Sequence, residues 1–120
     1  MLTLPTSVKV FMASEPVDGR KGFDGLMAIV RNGWGRNVFS GHLFVFLGKR
    51  RDIVKVLTWS RGGFVLHIKR LERGRFVLPG VAADAQVIEL DGTQLAMLLD
   101  GIDLRAVKRQ AAWEPPPSIA

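Results

Sequence analysis

Residues 43–71 read LFVFLGKRRDIVKVLTWSRGGFVLHIKRL. Three apolar, β-branched and aromatic runs, 43–47, 53–59 and 63–71, are separated by GKRRD and by SRGG. Runs of this length with links this short read as strands joined by hairpins, and glycine supplies the positive φ that tight hairpin turns need. ERG at 72–74 and RFVL at 75–78 extend the pattern to a fourth strand. The result is an antiparallel meander. Strand alternation sets its faces. Ile53, Leu57 and Trp59 share one face with Lys55, and Val54, Val56 and Thr58 share the other. In the next strand Phe64, Leu66 and Ile68 form a dry face, and Val65, His67 and Lys69 a wetter one.

Working outward, VKVFMA at 8–13 reads as a first strand, broken by EPVDG. From Arg20 the period changes. Phe23, Leu26, Met27 and Val30 recur at i, i+3, i+4 and i+7, which predicts an amphipathic helix of about three turns. Asp18 is the candidate N-cap and Asn32-Gly33 the candidate stop, while Gly22 and Gly25 cost about 1 kcal/mol each relative to alanine. GWGRNVFSG at 33–41 reads as a loop. AQVIELDG at 85–92 reads as one more strand. Thr93 then caps a helix over 94–102 with Leu95, Leu98, Leu99 and Ile102 as its apolar stripe, and Asp103 opens a basic continuation over 104–113. The expectation is a single α+β domain over 1–110, an antiparallel β-meander of about five to six strands with two main helices covering one face, and a flexible C-terminal tail over 111–120.

With 120 residues the chain has the size of one domain, and 48% hydrophobic content argues against global disorder. It has no cysteine, which excludes disulfides, thiolate metal sites and a cysteine nucleophile and fits a reducing cytoplasmic location. MLTLPTSVKV lacks the form of a secretory signal, and no apolar run approaches the length of a membrane span.

The net charge of +6 is unevenly spread. Residues 1–35 carry +1, residues 36–75 carry +8 and residues 76–120 carry −3. A basic middle suggests a surface that faces a polyanion; the plain alternative is a solvated face that keeps the protein soluble. Lys49, Arg50 and Arg51 crown one hairpin, Arg61 sits at the next turn, and Lys69, Arg70, Arg73 and Arg75 surround the third. Turns alternate between the ends of a meander. Lys49–Arg51 and Arg73–Arg75 therefore belong at one end and Arg61 at the other, with Lys55 and Lys69 on adjacent strands between them. Basic and aromatic residues interleave as in sheets that hold nucleic acid, although Phe44, Phe46 and Trp59 serve equally well as core.

The glycine-rich stretch EPVDGRKGFDGL at 15–26 is neither a phosphate-binding P-loop nor a dinucleotide fingerprint, since both require other spacings. Gly19, Gly22 and Gly25 recur every third residue, which suits a helix start with close packing. Arg20 and Lys21 fall at its first turn, the unfavourable end of the helix dipole. That placement calls for a partner, either Glu15, Asp18 or a phosphate. His42 and His67 lie on separate segments, so no zinc site is expected. The aspartates fall where turns and caps want them, and no serine has a nucleophile-elbow context. No catalytic residue, metal ligand or cofactor is therefore assigned, and the reading is non-enzymatic.

Four blocks carry a resemblance: EPVDGRKGFDGL at 15–26, FSGHLFVFLGKRRDIVKVLTW at 39–59, GFVLHIKRLERGRF at 63–76 and IELDGTQLAMLLDGIDL at 88–104. Together they resemble the small Orf2-like (TnpB) accessory proteins of insertion-sequence family sixty-six, in order over nearly all of residues 1–105. The family implies a helper encoded beside a large transposase, with no established reaction and no catalytic residues to carry over. Its recurrent positions match Arg20, Lys21, Gly22 and Phe23; Ser40, Gly41, His42 and the Arg50-Arg51 turn; and Lys69, Arg70, Leu71, Glu72, Gly74 and Phe76. Gly19 departs from the larger residue usual in the family. Charge and position, not the family, assign Arg20, Lys21, Lys49, Arg50, Arg51, Lys55, Arg61, Lys69, Arg70, Arg73 and Arg75 to nucleic-acid binding. The expected partners are DNA, at element ends or target, and the element's transposase, with no membrane. The alternative is a module that docks on the transposase without touching DNA.

Overall fold

Ser60 and Gly63 pair across a two-residue turn in which Arg61 and Gly62 both have positive φ, 39° and 88°. This turn twists with its strands and closes the hairpin between β3 (Ile53–Ser60) and β4 (Gly63–Arg70). In the computed structural model, which describes residue 5, residues 7–77 and 84–103, residue 113 and residues 115–117, β3 also pairs antiparallel with β2 (Leu43–Leu47). The remaining strands are β1 (Val10–Ala13) and β5 (Val87–Leu90), and the sheet order is β4-β3-β2-β1-β5.

The sheet corrects the expectation of a purely antiparallel meander, because β1 lies parallel to β2 (Phe11 opposite Phe44). The long connection between them carries a helix, as a parallel pairing requires. That helix, α1 (Phe23–Ala28), continues as a π-helical stretch over Ile29–Gly33, with Trp34 N–H donating to Ile29 C=O at 3.0 Å. Its start is later than the sequence suggested: Gly22 takes the N-cap position without a side-chain cap. Asp18 instead accepts from the Arg20 backbone N–H at 2.9 Å in a turn ahead of the helix, so Arg20 and Lys21 precede the first helical turn. The second helix, α2 (Gly92–Leu99), is capped by Asp91 rather than Thr93. Asp91 accepts from Gln94 N–H at 2.8 Å, and the Gln94 side chain accepts from Asp91 N–H at 3.0 Å, a reciprocal capping box.

The two helices cover opposite faces, a second correction. Leu26 and Val30 pack with Phe11, Phe44, Phe46 and Leu57 on one side. Leu95 and Leu98 pack with Val10, Met12, Val45, Val54 and Val56 on the other. Because alternate residues of β1, β2 and β3 are apolar on both sides, each face needs its own cover.

Residues 75–77 form no strand, a third correction; Leu78 lies outside the described residues. Phe76 leaves the sheet and enters the α2-side core, almost fully buried, while its N–H donates to Arg51 C=O at 2.6 Å. The expected dry face of β4 holds for Phe64 and Leu66 but not for Ile68, which is 58% exposed at the sheet edge beyond the cover of α1. The basic continuation over 104–112 lies outside the described residues, as does most of the tail.

Candidate nucleic-acid interface

Strand direction gathers the basic residues at one end of the sheet. β2 finishes at this end, β3 starts here and β4 finishes here, with Ile53 opposite Arg70. Leu71 N–H donates to Asp52 C=O at 2.8 Å, and Phe76 N–H to Arg51 C=O, so the loop after β4 is tied to the β2–β3 turn. β1 runs parallel to β2, and Val17 bridges Gly48, with its N–H donating to Leu47 C=O at 2.8 Å. The loop ahead of α1 is thereby brought to the same end. Arg20, Lys21, Lys49, Arg50, Arg51, Arg70, Arg73 and Arg75 are all exposed here, while Arg61 occupies the turn at the opposite end.

The backbone holds this end in a defined shape. Arg51 N–H closes on Gly48 C=O at 2.9 Å, with Arg51 in the left-handed region at φ 61°. Gly74 turns the following loop at φ 81°. A non-glycine residue held left-handed costs of order 1 kcal/mol, which the anchored turn must offset.

The cations divide by what they already bind. The side chains of Lys21, Lys49, Arg50, Arg51, Arg73 and Arg75 have no hydrogen-bond or ion-pair partner among the described residues. Arg20 is engaged with Asp18 through two guanidinium nitrogens, the closest approach being Nη2 to Oδ2 at 2.8 Å. The Arg20 side-chain and backbone hydrogen bonds hold the Asp18 carboxyl well below the usual carboxylate range, with a smaller contribution from the charge of Lys49. Asp18 in turn raises the Arg20 guanidinium. Arg70 meets Glu72 at 3.3 Å.

Two lysines serve the fold. The Lys55 ammonium, on the α1 face, donates to both Gly19 C=O and Lys21 C=O at 2.8 Å and fixes the loop ahead of α1. Lys69 Nζ donates to Leu99 C=O at 2.5 Å, satisfying a terminal carbonyl of α2 at the negative end of its dipole. Glu15, Asp18, Asp52 and Glu72 moderate the positive field at this end.

Sequence reasoning left one group unresolved. Phe39, Trp59 and Phe64 form an aromatic cluster beside the Arg61 turn, with ring centroids 5.0–5.4 Å apart and Trp59 edge-to-face with both phenylalanines, and Phe39 is 51% exposed. Phe44 and Phe46 are core. No periodic signal marks Phe39, which reaches the cluster from an irregular loop. His42 Nδ1 accepts from Lys9 N–H at 3.0 Å. No group of three or more His, Asp or Glu side chains suited to a metal occurs among the described residues, and none of their helices is long and apolar enough to cross a membrane.

Comparison with known proteins gives this geometry a context. The family model described as IS66 Orf2 like protein matches residues 8–109. Two proteins of Sinorhizobium fredii are similar over most of their length. Uncharacterized protein y4jC is 32% identical over 108 residues, covering 90% of this chain and 91% of the relative. Uncharacterized protein y4hO is 40% identical over 116 residues, covering 96% of each. No solved structure matches. The chain belongs to the IS66 Orf2-like family of insertion-sequence proteins.

Proposed function

We propose that this member of the IS66 Orf2-like family is a non-enzymatic accessory protein for transposition of its insertion sequence, which binds DNA through the basic end of its sheet and assists the separately encoded transposase. The observation that carries the reading is the convergence of Lys49, Arg50, Arg51, Arg73 and Arg75, exposed and without hydrogen-bond or ion-pair partners among the described residues, on two loops tied by Phe76 N–H to Arg51 C=O. Unpaired guanidinium groups on anchored turns are pre-organised for phosphate oxygens, and binding them releases condensed counterions from the duplex. The contacts fall on the backbone, so they position the protein without reading sequence.

Fluorescence anisotropy with a terminal-repeat duplex and a scrambled duplex across a salt series tests this. Engagement of about five phosphates gives a log–log salt slope near −4.5, and Arg50→Ala/Arg51→Ala flattens it by about 1.8. An unchanged slope in the double variant would remove the basis of the proposal.

A second reading docks the same end on an acidic surface of the transposase. Phe23, 45% exposed beside Lys21, favours it, since an aromatic anchor contributes to a protein interface and little to phosphate contact. Retention of the transposase in a pull-down after exhaustive nuclease treatment, with no anisotropy change on DNA at low salt, would establish docking in place of DNA binding.

A further inference from the structure

β4 is an eight-residue strand at the edge of the sheet, and it lacks the usual protection of such an edge. It contains no proline, and its two cations are engaged: Lys69, exposed, is turned back onto Leu99 C=O, and Arg70 at the strand's end meets Glu72. The tight turn fixes which backbone groups point outward. Ser60 and Gly63 close a two-residue hairpin as a hydrogen-bonded pair, and such pairs alternate along an antiparallel ladder. Phe64, Leu66, Ile68 and Arg70 therefore direct their N–H and C=O groups away from β3, where no described residue bonds them.

We propose that this edge pairs with the same edge of a second copy, antiparallel about a two-fold axis at Leu66, to make one continuous ten-stranded sheet. An axis perpendicular to the sheet keeps each side chain on its own face, so facing residues have numbers of equal parity, and Leu66 as centre gives one specific set. Leu66 lies opposite the partner's Leu66 and Phe64 opposite the partner's Ile68, both on the α1 face. Val65 lies opposite the partner's His67 on the α2 face.

Aromatic–β-branched and aliphatic cross-strand pairs stabilise such a seam. The charges fit it as well. Lys69 and Arg70 fall opposite the partner's Gly63 and the partner's Gly62, so no two cations oppose each other. Shifting the axis by two residues, to Ile68, places Arg70 against Leu66 and loses this match. The seam also joins the exposed apolar groups of the α1 face. Ile68 comes against Phe64, which already contacts Phe39 at 5.4 Å between centroids. The two-fold axis reverses in-plane directions, so the two basic ends point opposite ways along the joint sheet.

Sedimentation velocity of the nuclease-treated full chain across a micromolar concentration series tests the assembly. The expected result is a monomer–dimer equilibrium that Ile68→Lys weakens by about tenfold, because two symmetry-related pairs are lost at once, with an unchanged circular dichroism spectrum. Cysteine substitution tests the register in a chain that has no cysteine of its own. Residues facing each other as a hydrogen-bonded pair have Cα atoms about 5.5 Å apart, within disulfide range. Leu66→Cys then cross-links on mild oxidation, whereas Ile68→Cys, about 13 Å from its symmetry mate along the strand, does not. A wild-type chain monomeric at every concentration, a dimer indifferent to Ile68→Lys, or cross-linking at 68 in preference to 66 would each overturn the proposal. So would a monomer whose β4 edge is occupied by the transposase.

Discussion

Replacing Lys55 with methionine separates the cations that hold the fold from those free to bind. The methionine keeps the apolar stem of the side chain and removes the ammonium that bridges Gly19 C=O and Lys21 C=O at 2.8 Å each. A hydrogen bond from a charged donor contributes about 1.5–3 kcal/mol in dry surroundings. Lys55 is only partly buried and both carbonyls lie in exposed residues, so water replaces much of what is lost. The net cost of Lys55→Met is therefore about 1–2 kcal/mol, a fall of about 4–8 °C in Tm for a domain of this size. Urea unfolding followed by circular dichroism reads the cost as a shift in midpoint at constant slope. The same variant leaves the salt slope of DNA binding close to that of the wild type, because its charge already belongs to the loop. Lys49→Met does the reverse: the midpoint stays and the slope flattens by about 0.9. A Lys55→Met protein with unaltered stability and a flattened salt slope would refute the assignment of Lys55 to the fold.

Three further outcomes are expected. Arg51→Gly relieves a left-handed non-glycine residue and raises stability by up to about 1 kcal/mol in urea titration, while flattening the salt slope by about 0.9, so stability and binding move in opposite directions. Phe76→Ala removes a fully buried ring from the α2-side core, costs about 3–5 kcal/mol by the same titration, and loosens the loop that carries Arg73 and Arg75. Asp18 has a depressed pKa in the folded chain. The Asp18–Arg20 contact therefore contributes stability that is fully present above about pH 4, the unfolded value, and is lost as pH falls through the lower folded value. Asp18→Asn abolishes that part of the acid dependence in pH-dependent unfolding. It also releases Arg20 and strengthens DNA binding at low salt in the anisotropy assay.

The β3–β4 hairpin was legible in the chain because every determinant is local: period-two alternation, a two-residue turn with glycine, and β-branched strands. The same holds for Leu26 and Val30 on the α1 side and for Leu95 and Leu98 of α2, but not for Phe23 and Ile102, which are exposed, the latter because α2 ends at Leu99. Placement of Lys49–Arg51 and Arg73–Arg75 at one end, with Arg61 at the other, followed from turn alternation alone and needed no side-chain detail. The strand expected at 75–78 failed because the alternation of RFVL is too short to tell an edge strand from a single aromatic plug, and the choice rests with the cavity that receives Phe76. Thr93 yielded to Asp91 as cap because the two are near-equal locally and only the Gln94 reciprocity distinguishes them.

The sequence by itself determined an α+β domain with a meander at its centre and a concentration of positive charge on that meander. Tertiary structure alone decided that β1 lies parallel to β2, since pairing across a helical crossover is chosen by which apolar faces meet and not by any local signal. It also decided that the helices take opposite faces, because strands apolar on both sides must be covered twice. Charge is likewise visible in a sequence, but whether a lysine is free to meet a phosphate depends on which carbonyls the fold brings within its reach. Lys55 and Lys69 already donate to backbone carbonyls, whereas Lys49 and Arg50 have no hydrogen-bond or ion-pair partner among the described residues.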